Sequence, residues 1–259
     1  MTLPAAEAAA DHESSGTMIS LGPWITVNPQ ELTELFDAHA LEVAPHLLGC
    51  RLTVTTARGS VTVRITEVEA YGDQGEDPGA HSYNGRTARN ASLFGPPRHA
   101  YIYQSYGIHF CLNLTAHAAG AGGVLLRAGE VLAGRELAVE RRGGKDTGAK
   151  LLSGPGRLGQ GLGVGLPMDG TALQIREQAA EHETNQHAPN QEVSFVLRPA
   201  SSSQAVRTGP RVGVSGIGGS HQFPWRFWVD QDRSVSAYRP GKGVPTLEEG
   251  ALPPDLSGG

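Results

Sequence analysis

Hydrophobic and polar residues alternate with period two from Val61 to Thr66: Val61, Val63 and Ile65 interleave with Thr62, Arg64 and Thr66. That alternation predicts a half-buried strand. With the preceding "CRLTVTTARGS" it predicts a hairpin turning near Arg58-Gly59. Continued in the same register, the strand places Glu67 and Glu69 on the face that carries Val61, Val63 and Ile65, a costly location for carboxylates. Upstream, "NPQELTELFDAHALEVAPHLLG" predicts one or two helices, with Asn28 as N-cap, Pro29 at the first helical position and Pro45 interrupting the later part. Downstream, "HAYIYQSYGIHFCLNLTAH" and "GGVLLRAGEV" supply strands and "LAGRELAVERR" a short helix. Two later stretches, near 193–199 and in "WRFWVD", read as strands. Gly- and Asp-rich residues 72–98 form a long loop, which in a compact domain is usually functional or disordered. Residues 143–150 read as a surface loop. Residues 1–27, acidic and without periodicity, are expected to be disordered, and Pro/Gly-rich residues 241–259 to be a flexible tail. No repeat or linker divides the middle, so one mixed α/β domain over residues 28–240 is expected.

Composition narrows the function class. With 259 residues, 39% of them hydrophobic, the chain can bury one substantial core. No apolar run is long enough to span a bilayer, and the N-terminus lacks the basic-then-apolar pattern of a secretory signal. Cys50 and Cys111 are the two cysteines and have no metal-ligand spacing. A disulfide framework is therefore not expected, and a reducing cytoplasm is. The net charge of −5 is unevenly spread: residues 1–50 hold seven acids and no Lys or Arg, and residues 248–259 hold three more acids. Residues 51–247 thus carry 21 basic against 16 acidic side chains. Phosphate binding follows local potential, so this mild surplus permits a nucleic-acid partner without demonstrating one.

"GPGRLGQG", Gly154 to Gly161, satisfies the G-x-G-x-x-G pattern, but the preceding "GGKDTGAKLLS" is not the buried strand that a dinucleotide site requires. A helix entry capped by Ser153, with Pro155 early in its first turn, fits better. The ten His residues show no ligand spacing, no Gly-x-Ser-x-Gly elbow occurs, and the three Lys residues lie in loop-like segments. Metal, serine-nucleophile and Schiff-base chemistry therefore lack support. Carboxylate acid/base chemistry remains, around Glu67, Glu69, Tyr71 and His81. Tyr101, Tyr103 and Tyr106 form a second cluster. Taken separately, the glutamates suit a salt-bridged strand end and the tyrosines a core-facing strand. Together they suggest a pocket for a flat ligand and suit a cationic one.

The segment "EVEAY…AHSYNGRTARNASLFGPPRHAYIYQSYGIHFCLNL" closely resembles the alkyladenine (3-methyladenine) DNA glycosylase family of bacteria and vertebrates. "VLLRAGEVLAGRE", "SGPGRLGQGLGV" and "PWRFWV" continue the resemblance in the same order, over residues 30–239. It implies a mixed α/β (α+β) fold, a single compact domain around a curved antiparallel β-sheet with peripheral helices. It also implies no cofactor and no metal. The implied activity is monofunctional excision of alkylated or otherwise damaged purines from double-stranded DNA, without lyase activity and as part of base excision repair. By the same resemblance Glu69 activates water, with Arg127 beside the water and the sugar-phosphate. Tyr71, His81 and Tyr103 line the base pocket, Asn113 crowds the position of the normal guanine amino group, and Tyr106 wedges into the duplex. Glu67 has no catalytic role in the pattern and is read as structural. A cytoplasmic, nucleoid-associated bacterial monomer that does not bind membranes is the implied setting. Two other readings are an inactive lesion- or nucleic-acid-binding module, which would not need Glu69, and a hydrolase of free nucleosides, which would not need Tyr106.

Overall fold

The structure, a computed structural model, describes residues 19–24, 26–177 and 192–245. Its centre is the hairpin of β2 (Arg51–Thr56) and β3 (Gly59–Tyr71), which closes with Thr56 opposite Gly59. The exposed-side hydroxyls of Thr53 and Thr62 meet at 2.9 Å across it. On one side β3 pairs along its length with β6 (Gly123–Ala133), which continues to β5 (His109–Thr115) and β4 (Ala100–Ser105). On its other side β3 meets two different strands. Its first half pairs with β2, which leads to β8 (Ser194–Arg198) and β7 (Leu173–Ile175). Its second half pairs with β10 (Arg226–Val229), which leads to β9 (Gln204–Gly209) and β1 (Ile19–Trp24). This split of partners goes with a sheet that curls as a half-barrel, so the curved sheet and mixed α/β class expected from the sequence are what is found. One pairing departs from the antiparallel expectation: β7 and β8 run parallel.

The helices lie at the periphery. Helix α1 (Pro29–Leu35) starts where the sequence indicates: the Asn28 side chain accepts from the Glu31 N–H, and Glu31 reciprocates at the Asn28 N–H. Such a reciprocal cap satisfies two otherwise orphaned donors. Helix α2 (Ala40–Val43) tightens into a 3₁₀ turn at Ala44–Leu47, where Pro45 removes an N–H. Helix α3 is Arg135–Arg141 and α4 is Pro155–Leu162. Leu32, Phe36 and Leu47 pack with Leu52, Val63 and Leu126 of the sheet, all fully buried. Each such side chain contributes on the order of 1.5–3 kcal/mol.

One helix start departs from expectation, and both chain ends carry described structure. The N-cap of α4 is Gly154 with φ +102°, not Ser153, because Ser153 is engaged in a bridge with Ala128 of β6 and the helix begins one residue later. Residues 19–24, inside the segment expected to be disordered, form β1 and cover the edge of β9, whose N–H and C=O groups would otherwise lack partners. Residues 1–18 and 246–259 lie outside the described residues. The start of the segment expected to be a flexible tail is hydrogen-bonded: Gly216 N–H donates to Lys242 O at 2.9 Å. Just before it, Gly213 N–H donates to Arg239 O at 2.8 Å.

The most consequential departure lies within β3. Val61, Val63 and Ile65 face the main core, but so do Val68 and Ala70, so the alternation changes phase between Ile65 and Val68. The pairing with β6 shows why. Ile65 opposes Gly129, Glu67 opposes Ala128 and Val68 opposes Leu126, which leaves Thr66 extra on β3 and Arg127 extra on β6. The extra Thr66 turns Glu67, Glu69 and Tyr71 onto the face opposite the core, and the extra Arg127 makes the matching change of phase on β6.

Candidate active site

That face forms the floor of an open cavity of about 620 Å³, within the usual range for small-molecule and base-sized ligands. Tyr71, His81, Tyr103, Tyr106, Asn113 and Arg127 all line it. Glu69 is fully buried just behind that wall. Its Oε2 accepts from the Tyr71 hydroxyl at 2.9 Å and Arg127 Nη1 at 3.2 Å, and its Oε1 from the Val212 N–H at 2.6 Å. Tyr71, Arg127 and Val212 themselves line the cavity. A carboxylate has about four acceptor positions, so one on Oε1 remains for a water or a substrate atom. Burial, then the neighbouring Glu69 charge, raises the Tyr71 phenol well above its usual range, so it stays protonated and keeps donating.

Glu67, also fully buried, has a different environment. Its Oε1 accepts from Arg127 Nε at 2.9 Å, Arg226 Nε at 2.8 Å and Ser236 Oγ at 2.8 Å, and its Oε2 from the Ser236 N–H at 2.7 Å. Burial opposes its ionisation, but Arg127 and Arg226, with the Ser236 hydrogen bonds, outweigh burial and hold it below the usual glutamate range. It is a fixed anion facing fixed cations, with little capacity left to receive a proton.

The aromatic wall comes from β4 and the 72–98 loop. His81 Nδ1 lies 3.0 Å from the Tyr101 hydroxyl, and its ring meets Tyr103 edge-on at 4.5 Å between centroids. Although His81 stays partly open to the cavity, packing among these rings, and then the nearby Arg89 charge, push its pKa below the usual histidine value. The neutral ring is therefore the form present near pH 7. Asn90 fixes the loop behind His81, donating to His81 O at 2.8 Å and Gly85 O at 3.0 Å. Asn113 on β5 is 5% exposed and donates through Nδ2 to Tyr101 O at 3.0 Å, which fixes its amide plane at the cavity floor. Burial raises the Cys111 thiol beside it.

A second ion pair supports the site from behind. Arg211 and Asp77, both fully buried, meet through two 2.6 Å contacts. The Arg211 guanidinium lies 4.6 Å from the centroid of the Tyr71 ring and 5.3 Å from that of Trp225. Asp77 also accepts from the Gly72 and Gly79 N–H groups. The pair therefore ties the loop that presents His81 to the segment that presents the Val212 N–H.

Tyr106 lies at the opposite extreme, 92% exposed at the tip of the β4–β5 hairpin. Tyr106 has φ +50° and Gly107 φ +70°, and Ile108 N–H donates to Ser105 O at 3.1 Å. These values describe a type I′ turn, which matches the twist of paired strands. At α4, the glycines of "GPGRLGQG" serve packing: a Cβ on Gly159 would lie 1.9 Å from Phe110 O. The helix thereby approaches β5 closely enough to place Pro155 at the cavity rim. Among the described residues no group of three His, Cys, Asp or Glu side chains converges as a metal site would require.

The seven residues singled out from the sequence are thus found around one cavity. Sequence reasoning missed Asp77, six residues after "EVEAY", and Arg211, Val212, Arg226 and Ser236, which are distant from it in the chain. The family model for methylpurine-DNA glycosylase (MPG) matches residues 34–233. A Streptomyces avermitilis protein is 46% identical over 207 residues, covering 80% of this chain and 90% of that protein. One from Leifsonia xyli subsp. xyli is 43% identical over 212 residues, covering 80% and 91%. A Rhodococcus jostii protein is 41% identical over 223 residues, covering 84% and 90%. The names of all three carry the term 3-methyladenine DNA glycosylase.

Proposed function

The chain belongs to the methylpurine-DNA glycosylase family, and from that premise we propose how its own residues carry out the reaction. The protein is a DNA glycosylase of base excision repair. In our reading the substrate is a damaged purine in duplex DNA, and cleavage is by hydrolysis, with no lyase step. A base inside a duplex cannot reach a cavity of this depth, so the nucleotide must be extruded at a cost of a few kcal/mol. Tyr106, exposed on its rigid turn, fills the vacated space in the stack. The extruded base enters between Tyr71, His81 and Tyr103, where stacking contributes on the order of 1–3 kcal/mol and more for a cationic purine. A neutral His81 adds no repulsion toward such a base. Asn113 bounds the pocket at the position a normal guanine amino group would occupy.

Glu69 then takes a proton from water as the water oxygen bonds to C1′. The C1′–N bond breaks, its electron pair leaves with the base, and an abasic site remains. The sugar develops oxocarbenium character, which the Glu69 carboxylate stabilises. Arg127, donating to Glu69, keeps that carboxylate aimed at the sugar. The observation that carries this reading is the fully buried Glu69 carboxylate, held by three donors that line the cavity, with one acceptor position left open. A lesion-binding module would have no use for such a group. In the same reading it acts as a monomer, in the cytoplasm of a bacterium and at the nucleoid.

Glu69→Gln preserves shape and removes the base. Release of 3-methyladenine from methylated duplex DNA should fall by roughly 100- to 10,000-fold, while affinity for a lesion duplex is retained. Near-normal release would refute the role of Glu69.

A further inference from the structure

Arg127 touches more than Glu69. Its guanidinium is held on three edges: Nε by Glu67 at 2.9 Å, Nη1 by Glu69 at 3.2 Å and Nη2 by Ser236 Oγ at 3.2 Å. Ser236 commits all of its polar atoms to this cluster. Its N–H and hydroxyl both donate to Glu67, and its carbonyl accepts from Arg226 Nη2 at 2.8 Å. Arg226 in turn donates through Nε to Glu67. The side chain of Arg127 sits at a bulge, where β6 alone does not dictate its direction. Ser236 lies beyond residues 34–233, the part of the chain that the family model matches. We propose that Ser236 and Glu67 are positioning residues for catalysis: they lock the plane of Arg127 so that its Nη1 fixes Glu69 against the sugar. This makes the stretch after β10 part of the active site, and it rests on the reading of Glu69 as the base.

Glu67 lies one layer further from the cavity: of its donors Arg127, Arg226 and Ser236 only Arg127 lines it, whereas Tyr71, Arg127 and Val212, which hold Glu69, all do. The negative charge of Glu67 serves instead to hold two arginines. A rigid, pre-oriented shell of this kind acts on the rate and leaves the docking of DNA alone.

The test compares Ser236→Ala with Ser236→Thr, which restores a hydroxyl, under single-turnover conditions on methylated duplex DNA. Lesion-duplex affinity and thermal midpoint are measured alongside. Ser236→Ala should excise roughly tenfold more slowly through misplacement of the Arg127–Glu69 pair, with affinity close to wild type and a midpoint lower by no more than a few degrees, since the lost hydrogen bonds also support the fold. Ser236→Thr should recover most of the rate. Glu67→Gln should slow excision further, and the serine pair decides the matter if that variant does not fold. A wild-type rate in Ser236→Ala overturns the proposal. So does a slow variant that Thr does not rescue, or one whose affinity falls in proportion. Glu69→Gln, run in parallel, separates the two ideas: if it is inactive while Ser236→Ala is normal, the base assignment stands and the positioning role fails.

Discussion

At the scale of single residues, the Asp77–Arg211 pair is the most exacting feature of the site. Both side chains are fully buried, and Arg211 spends its donors on Asp77, Ala70 O and Gly218 O. Asp77→Asn would leave that guanidinium buried without its countercharge, at a cost of about 3–5 kcal/mol. In a chain of this size that lowers the thermal midpoint by roughly 10 °C, which a melting curve reads directly. Excision should fall as well, because Tyr71 rests on Arg211 and the Val212 N–H follows it in the chain. A variant that melts like wild type would show that the pair is not the brace described. Residues of this kind were not legible in the sequence. Asp77 and Arg211 are 134 positions apart and Glu67 and Ser236 169 apart, and neither pair has a local pattern. Glu69, Tyr71, His81 and Asn113 were legible because they stand in contiguous motifs. Their neighbours behind the wall come from distant elements.

At the scale of elements, the hairpin of β4 and β5 and the strand β3 show two ways that local pattern meets tertiary structure. The hairpin places a tyrosine in the left-handed region at Tyr106, which costs a non-glycine residue roughly 1–2 kcal/mol. Glycine would escape that cost, so Tyr106→Gly should leave the thermal midpoint unchanged or slightly raised. The same variant should lose paired-lesion excision by about 5- to 150-fold, the equivalent of the ~1–3 kcal/mol of an aromatic–base stack. On the same lesion in single-stranded DNA, where less unstacking is needed, the loss should be smaller. Equal losses on both substrates would mean that Tyr106 does not act as a wedge. Strand β3 was legible in extent but not in phase. Extrapolating Val61, Val63 and Ile65 puts Glu67 and Glu69 on the core face, yet the bulge at Thr66 turns them away from it, matched by that at Arg127 on β6. The carboxylates are dry because a second layer of loops covers them, including Val212 from the segment after β9. A one-residue bulge leaves no mark in the pattern of a single strand, and its register is set by β6, more than fifty residues later.

At the scale of the whole molecule, the groups that build the cavity tie stability to pH. Packing against the Tyr101 and Tyr103 rings, followed by the Arg89 charge, holds His81 below its usual range, although its exposure to the cavity keeps the effect on stability small. Below about pH 6.5, the ordinary histidine value, the unfolded chain therefore binds a proton that the folded chain resists, and stability is lost as pH falls. Glu67 and Asp232 are also held low, against burial that would raise them. For Glu67 the opposing causes are Arg127 and Arg226, and for Asp232 the hydrogen bonds from Ser234 and then the Arg64 charge. A carboxylate whose folded pKa is depressed contributes fully above its unfolded value of about 4. That contribution disappears as pH falls through the folded value. All three groups have the same sign but act in different windows. The thermal midpoint should decline on acidification in two stages, a shallow one below about pH 6.5 and a steeper one below about pH 4. His81→Phe should flatten the first stage while leaving the second. Glu67→Gln, melted at lower stability throughout, should reduce the second and leave the first. A midpoint that is level from pH 7 to 5 in the wild-type protein would remove His81 from this account. If the Glu67→Gln midpoint falls below pH 4 as steeply as that of the wild type, the acid sensitivity lies outside the Glu67 cluster.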